Sequence, residues 1–377
     1  MKQVIYLDYA AATPLAADVL KAMEPYWRQQ FYNPSATYLA AREVHAQLEA
    51  ARERVAHWLG ARPAEVIFTA GATEANNLAI RGIMEQFPYG NVVVSQVEHE
   101  SVLAPARAYD CREVGVGPDG MIDLPALEAA IDDKTVLVSI MYANNEVGTI
   151  QPLKEIAAII ANKRAERASG LPIYFHTDAA QAANYLDLHV ARLGVDLLSL
   201  NGGKIYGPKQ SGVLYMGAHV QLRPQIVGGG QERGMRSGTE NVAASIGLAQ
   251  ALDLVQPTRH DETQRLQSLQ QRFIKQLEAT VPDMILNGSS RKRLPNNVHV
   301  TFPGVDNERL LMQLDEAGVL AAAGSACSAA DEEPSHVLRA MGLDDAAAQA
   351  SVRFTMGQGT TAKQLDEVAE LVKRFVS

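Results

Sequence analysis

Cysteine is nearly absent from this sequence, with only Cys111 and Cys327 among 377 residues. Two thiols cannot by themselves build an all-thiolate zinc or iron–sulfur site, and a multi-bridge disulfide framework is excluded. Long apolar runs are also missing. None reaches the ~18 residues expected of a membrane span, and Met1–Asp8 lacks the apolar centre of a signal peptide. The expectation is a cytoplasmic protein with no membrane partner. Excess positive charge is missing too: 34 Lys and Arg stand against 43 Asp and Glu, a net charge of −9. A broad basic surface for a nucleic-acid backbone is therefore not expected, and direct nucleic-acid binding is set aside. No internal repeat or low-complexity tract occurs. What remains is an ordinary globular composition, 47% hydrophobic and 20% charged, in a chain long enough for two domains.

The first two-thirds alternates short apolar runs with longer amphipathic stretches. Strands are predicted at Val66–Phe68, Val92–Ser95, Val136–Met141, Ile173–His176, Leu197–Leu200 and Val213–Met216. Helices are predicted between them at Arg42–Leu59, Thr73–Arg81, Leu124–Ile131, Leu153–Arg167 and Val190–Leu193. Such alternation predicts an α/β domain with a largely parallel sheet covered on both faces. Near Pro257 the texture changes. A helix is predicted over His260–Thr280, strands over Asn297–Phe302 and Val319–Ala322, and helices over Asp306–Ala317, Ser335–Met341 and Lys363–Phe375. This reads as a smaller α+β domain, and the strand Val4–Leu7 fits with either part.

Five segments could carry chemistry. In Ser199–Lys209, Lys204 follows an apolar strand between glycines. A lysine there can reach a cleft and lose solvation, which favours imine formation, or it can simply sit in a surface turn. In Ile173–Gln181, Asp178 ends a buried-looking strand, where ligands bind in open α/β sheets. It suits a cationic ring nitrogen, a metal ion or a helix N-cap. In Phe68–Asn77, a glycine turn opens a helix at Thr73, which forms either a phosphate site or a plain cap. The loop Val227–Asn241 combines glycines, Arg233 and Arg236 with hydroxyls, and reads as a linker or a binding loop. Cys327 lies among small residues in Ala323–Pro334, where a thiol could react. Cys111, between Asp110 and Arg112, reads as a surface residue.

Together and in this order, these segments resemble the cysteine desulfurase family, within the class V aminotransferase branch of fold-type I pyridoxal 5'-phosphate enzymes. The likeness begins at Tyr6–Pro14 and passes through Asn33-Pro34-Ser35, Gly71-Ala72-Thr73-Glu74, Glu98-His99 and Asn144-Asn145-Glu146. It continues through Thr177–Gln181, Lys204–Lys209, Gly228–Asn241 and Gly324–Cys327 to Ser351-Val352-Arg353. The resemblance implies a large domain, residues 13–259, with a mostly parallel seven-stranded sheet flanked by helices. It implies a small domain from residues 1–12 and 260–377 that carries the cysteine loop.

It also implies roles. Lys204 matches the imine-forming, proton-transferring lysine, Asp178 the partner of the pyridine nitrogen, and His99 the imidazole over the ring. Gln181 matches the hydrogen bond to the ring hydroxyl. Ala72, Thr73 and Asn201 match the phosphate end, and Thr239 a phosphate contact given by a second subunit, hence a homodimer. Asn145 and Arg353 match the grip on the substrate carboxylate. Cys327 matches the nucleophile that takes sulfur from L-cysteine as a persulfide, leaving L-alanine. A sulfur-acceptor protein, an Fe–S scaffold or a sulfur carrier, would then collect it.

The sequence departs from the family at four places. Asn201 and Gly203 stand where serine and histidine are usual at the phosphate, so weaker cofactor retention is expected. Gln358 replaces a common arginine, and Thr37-Tyr38-Leu39 replaces Arg-Ser-His. The alternatives are another class V enzyme, such as a selenocysteine lyase or an aminotransferase, or a catalytically weak sulfur-transfer scaffold.

Overall fold

The computed structural model describes residues 4–168, 170–324 and 334–376. In chain order, β1 (Ile5–Tyr6) is followed by β2 (Val66–Thr69), β3 (Asn91–Ser95), β4 (Cys111–Val114), β5 (Thr135–Ser139) and β6 (Tyr174–Asp178). Then come β7 (Leu197–Asn201), β8 (Gly212–Met216), β9 (Ile285–Leu286), β10 (Asn297–Thr301), β11 (Val319–Leu320) and β12 (Ser351–Thr355).

Strands β2 to β8 form a seven-stranded sheet in the order β2-β8-β7-β6-β5-β3-β4. The run from β7 to β4 is parallel, and β8 is antiparallel to both neighbours. Strands β2, β3, β5 and β6 are buried at every residue, as expected where helices cover both faces. The expected strands and helices of this region all occur, with ends shifted by a few residues. Strand β4 was not expected. It lies at the sheet edge, where only Val114 is buried, so its polar residues hide it from an apolar-run reading. Its first residue corrects the surface reading of Cys111. The thiol is half-buried, and burial, helped by Glu113, pushes it up to about 11.

After β8 the chain enters one helix, Val242–Thr280, that runs straight through Pro257. The change of texture there is not an element boundary. Proline removes one N–H from the helix ladder, but Thr258 Oγ1 donates to the Leu254 carbonyl beside the gap. Gln256 also ties the helix to the Ala183 carbonyl. Beyond it, β12-β10-β9 form an antiparallel sheet. The N-terminal strand settles here, since β1 pairs in parallel with β11. An apolar cluster that includes Leu7, Phe273, Val298, Phe302 and Phe354 fills this region. A separate cluster that includes Val93, Val138, Phe175 and Leu198 underlies the large sheet.

Candidate active site

Parallel strands of an open sheet end together, and the turns after them bound a crevice. Here Asp178 ends β6, Asn201 ends β7, Lys204 closes the short turn after β7, and His99 caps the helix Glu100–Ala106 that follows β3. These turns bound a crevice of about 590 Å3 that is partly open to solvent. Ala72, Thr73, His99, Asn145, Asp178, Gln181, Asn201, Lys204 and Arg353 all line it. Thr239 does not. It is exposed in a separate hollow with Gln210, Glu232 and Arg236. Cys327 lies outside the described residues.

Asp178 is 6% exposed. Its Oδ2 accepts from Asn76 Nδ2 at 2.8 Å and its Oδ1 from the Ala180 N–H at 2.9 Å. No cationic side chain pairs with it among the described residues. A buried carboxylate without a cation is costly unless a ligand supplies the charge, so this arrangement fits a protonated pyridine nitrogen. Behind it, buried His176 bridges Ser139 Oγ at 2.7 Å and Ser199 Oγ at 2.9 Å. Burial holds that imidazole down to about 4, so it is a neutral spacer at ordinary pH.

Lys204 Nζ donates to the carbonyls of Ala10 at 2.9 Å and Ala11 at 2.5 Å. Gln181 Nε2 donates to the same Ala10 carbonyl at 3.0 Å, so the N-terminal turn ties both side chains to the crevice. His99 Nδ1 is 2.8 Å from Ser101 Oγ and accepts from the Ser101 N–H at 3.0 Å, which fixes the ring at the helix start. Its neighbour Glu98 is fully buried. Ser95 Oγ and the Met141 N–H both donate to its Oε1, while Oε2 has no partner among the described residues. Burial pushes this carboxyl up to about 8.

Arg353, 1% exposed in β12, reaches the crevice from the other sheet. Its Nη2 pairs with Asp8 Oδ1 at 2.7 Å, and its Nη1 donates to the Asn145 carbonyl at 2.9 Å. Nε is buried with no partner among the described residues. Thr73 proves not to be a helix cap. The helix Ala72–Gln86 starts after Gly71, whose φ of 145° and ψ of 175° suit only glycine. Among the described residues no side chain caps this end, so its first N–H groups remain available to an anion. The adjoining hollow is lined by Gly71, Ala72, Thr73, Asn201, Gly203 and Lys209.

Reading the sequence alone missed Asn76, Ser101, Asp8 and the serine pair around His176. Asn76 left a trace. It is a polar residue on the buried stripe of its helix, with Ala72, Ala75, Ala79 and Ile83.

A family model described as aminotransferase class-V matches residues 5–368. Over 383 aligned positions the chain is 40% identical to "Cysteine desulfurase IscS" of Dictyoglomus turgidum, covering 100% of this chain and 95% of that protein. Among solved structures, a "NIFS-LIKE PROTEIN" superposes with a TM-score of 0.91 at 31% identity, covering 99% of both chains. "SspA in complex with cysteine" gives a TM-score of 0.80 at 34% identity over 93% of this chain and 98% of that one.

Proposed function

The chain belongs to the aminotransferase class-V family, and from that premise we propose that it is a pyridoxal-phosphate-dependent cysteine desulfurase, converting L-cysteine to L-alanine. The observation that carries this is the meeting, in one crevice, of Lys204 and a buried Asp178 that no cationic side chain pairs with among the described residues. The desulfurase relative and the neighbour solved with cysteine support the choice of substrate.

The side chains divide the work. Asp178 would hold the ring nitrogen, Gln181 the ring hydroxyl, and His99 would lie against the ring. Ala72, Thr73 and Asn201 would face the phosphate. When bound, pyridoxal phosphate supplies an electron sink for charge at the substrate α-carbon. Asn145 and Arg353, which both line the crevice, orient the substrate carboxylate. Lys204 Nζ, held by two carbonyls at the crevice wall, moves the α-proton. The Cys327 thiolate attacks the substrate sulfur. The carbon–sulfur bond breaks, Cys327 retains the sulfur as a persulfide, and the β-carbon gains a proton as alanine leaves.

The division into residues 13–259 and residues 1–12 with 260–377 is part of this reading, supported by the two apolar clusters. So is a homodimer in which Thr239 serves the second subunit. Exposed Trp27, Phe31, Leu39 and Val227 support an apolar interface. The sulfur acceptor would be an Fe–S scaffold or a carrier protein. Among the described residues no helix is long and apolar enough to cross a membrane.

Incubation with L-cysteine and a reductant tests the reading. Alanine and sulfide should form in equal amounts, and Cys327→Ser should abolish both. Cysteine turnover that survives this change removes the persulfide step and favours another class V activity.

A further inference from the structure

We propose that Lys209 supplies the positive charge that holds the phosphate of the cofactor, in a position left open by the bare backbone of Gly203; this rests on the pyridoxal-phosphate reading above. The hollow beside the crevice shares Ala72, Thr73, Asn201 and Lys204 with it, so one ligand can reach from one into the other. Its walls suit an anion. The uncapped start of the helix Ala72–Gln86 opens there. Asn201 Oδ1 is occupied by the Gly203 N–H at 2.9 Å, which leaves its Nδ2 as the group to offer.

A phosphate also needs a cation, and the other charged groups of the hollow are engaged. The Lys204 ammonium is held by the Ala10 and Ala11 carbonyls. Glu74, on the same wall, is neutralised by Arg236 at 2.9 Å and accepts from the Ala70 N–H. Lys209 is different. It is exposed, lines the hollow, and makes no hydrogen bond or ion pair among the described residues.

Its placement relative to Gly203 is close. A Cβ at Gly203 would lie 3.5 Å from Lys209 Cγ and 3.6 Å from its Cα. The aliphatic stem of Lys209 therefore covers the glycine, in the space a side chain at 203 would enter. The turn that presents it is fixed, because Ser211 Oγ donates to the Pro208 carbonyl at 2.6 Å. An ammonium acts on phosphate as a point charge and needs no planar fork.

The test compares two ligands that differ only in the phosphate. The purified full chain, stripped of cofactor, is titrated with pyridoxal phosphate and with pyridoxal, followed by visible absorbance. Lys209→Met should raise the pyridoxal phosphate dissociation constant about tenfold to a hundredfold, the range of one charge-assisted bond. Pyridoxal binding should stay unchanged, and Lys209→Arg should behave as the wild type. Unchanged pyridoxal phosphate affinity in Lys209→Met overturns the assignment. So does an equal loss for both ligands, since that would mark a structural role. If the wild type takes up neither compound, the cofactor reading itself falls.

Discussion

The two ends of the crevice are built differently. At the ring end, position comes from three sets of buried side-chain hydrogen bonds: Asp178 on Asn76, His176 between Ser139 and Ser199, and Glu98 on Ser95. At the phosphate end it comes from backbone: the turn at Gly71, the uncapped helix start, and the glycines around Lys204. Buried networks are stiff and sensitive to any single change. Backbone donors survive side-chain changes, but they carry no net charge. The contrast suggests that the ring end sets rate while the phosphate end sets cofactor retention.

The strongest way to break this contrast is Asp178→Asn. Asparagine keeps the shape of the site and removes the charge opposite the ring nitrogen. Turnover should fall about a hundredfold to a thousandfold, the scale of losing one preorganised electrostatic contact, while pyridoxal phosphate affinity changes far less. Steady-state kinetics beside a cofactor titration separates the two. Full kcat with weakened cofactor binding would reverse the assignment of the two ends.

A smaller effect should appear in stability against pH. Glu98 titrates near 4.5 ordinarily and at about 8 when folded. Between those values the folded chain keeps a proton that the unfolded chain has released, so stability falls as pH rises through this window. His176, lowered from 6.5 to about 4, and His299, lowered to about 3, act in the opposite sense below 6.5, since there the unfolded chain binds the extra protons. Above that, the Glu98 slope is no longer opposed by them. From about pH 6.5 to about pH 8 it should remove on the order of 2 kcal/mol, and Glu98→Gln should flatten the decline. Denaturant midpoints across that range decide the matter. Parallel declines in both proteins would mean that Glu98 does not keep its proton in the fold.

The same contrast explains what could be read from the sequence. The strands carrying the crevice are apolar runs, and β6 and β7 were visible with Asp178 and Lys204 at their ends. Burial on both faces leaves such runs a composition that few other structures need. The edge strand β4 and the strand β12 were missed for opposite reasons. β4 is polar because it is half exposed. In β12, Ser351, Arg353 and Thr355 are polar yet fully buried, each bonded to groups far away in the chain. Asn76 and His176 belong to the same class. A residue type states that a polar group exists, while its burial and its partner are decided by tertiary contacts. Pro257 misled in the other direction, because a breaker signal was overruled by the packing of a 39-residue helix.

The finest separation comes from Gly203→His. Asn201 and Gly203 bring no charge to the phosphate end, which leaves Lys209 as the cation offered there. A Cβ at 203 would sit 3.3 Å from Asn201 Oδ1 and 3.5 Å from Lys209 Cγ, so an imidazole there would pack against the lysine stem and compete with it for the phosphate. One cation then replaces another. Pyridoxal phosphate affinity should change by less than about threefold, well below the full effect of one charge-assisted bond. In a Lys209→Met background the same histidine should recover most of the lost affinity, a non-additivity expected only of groups serving one partner. A tenfold gain from Gly203→His alone would show that Lys209 adds little, and that the backbone of this end holds the phosphate without a compensating charge.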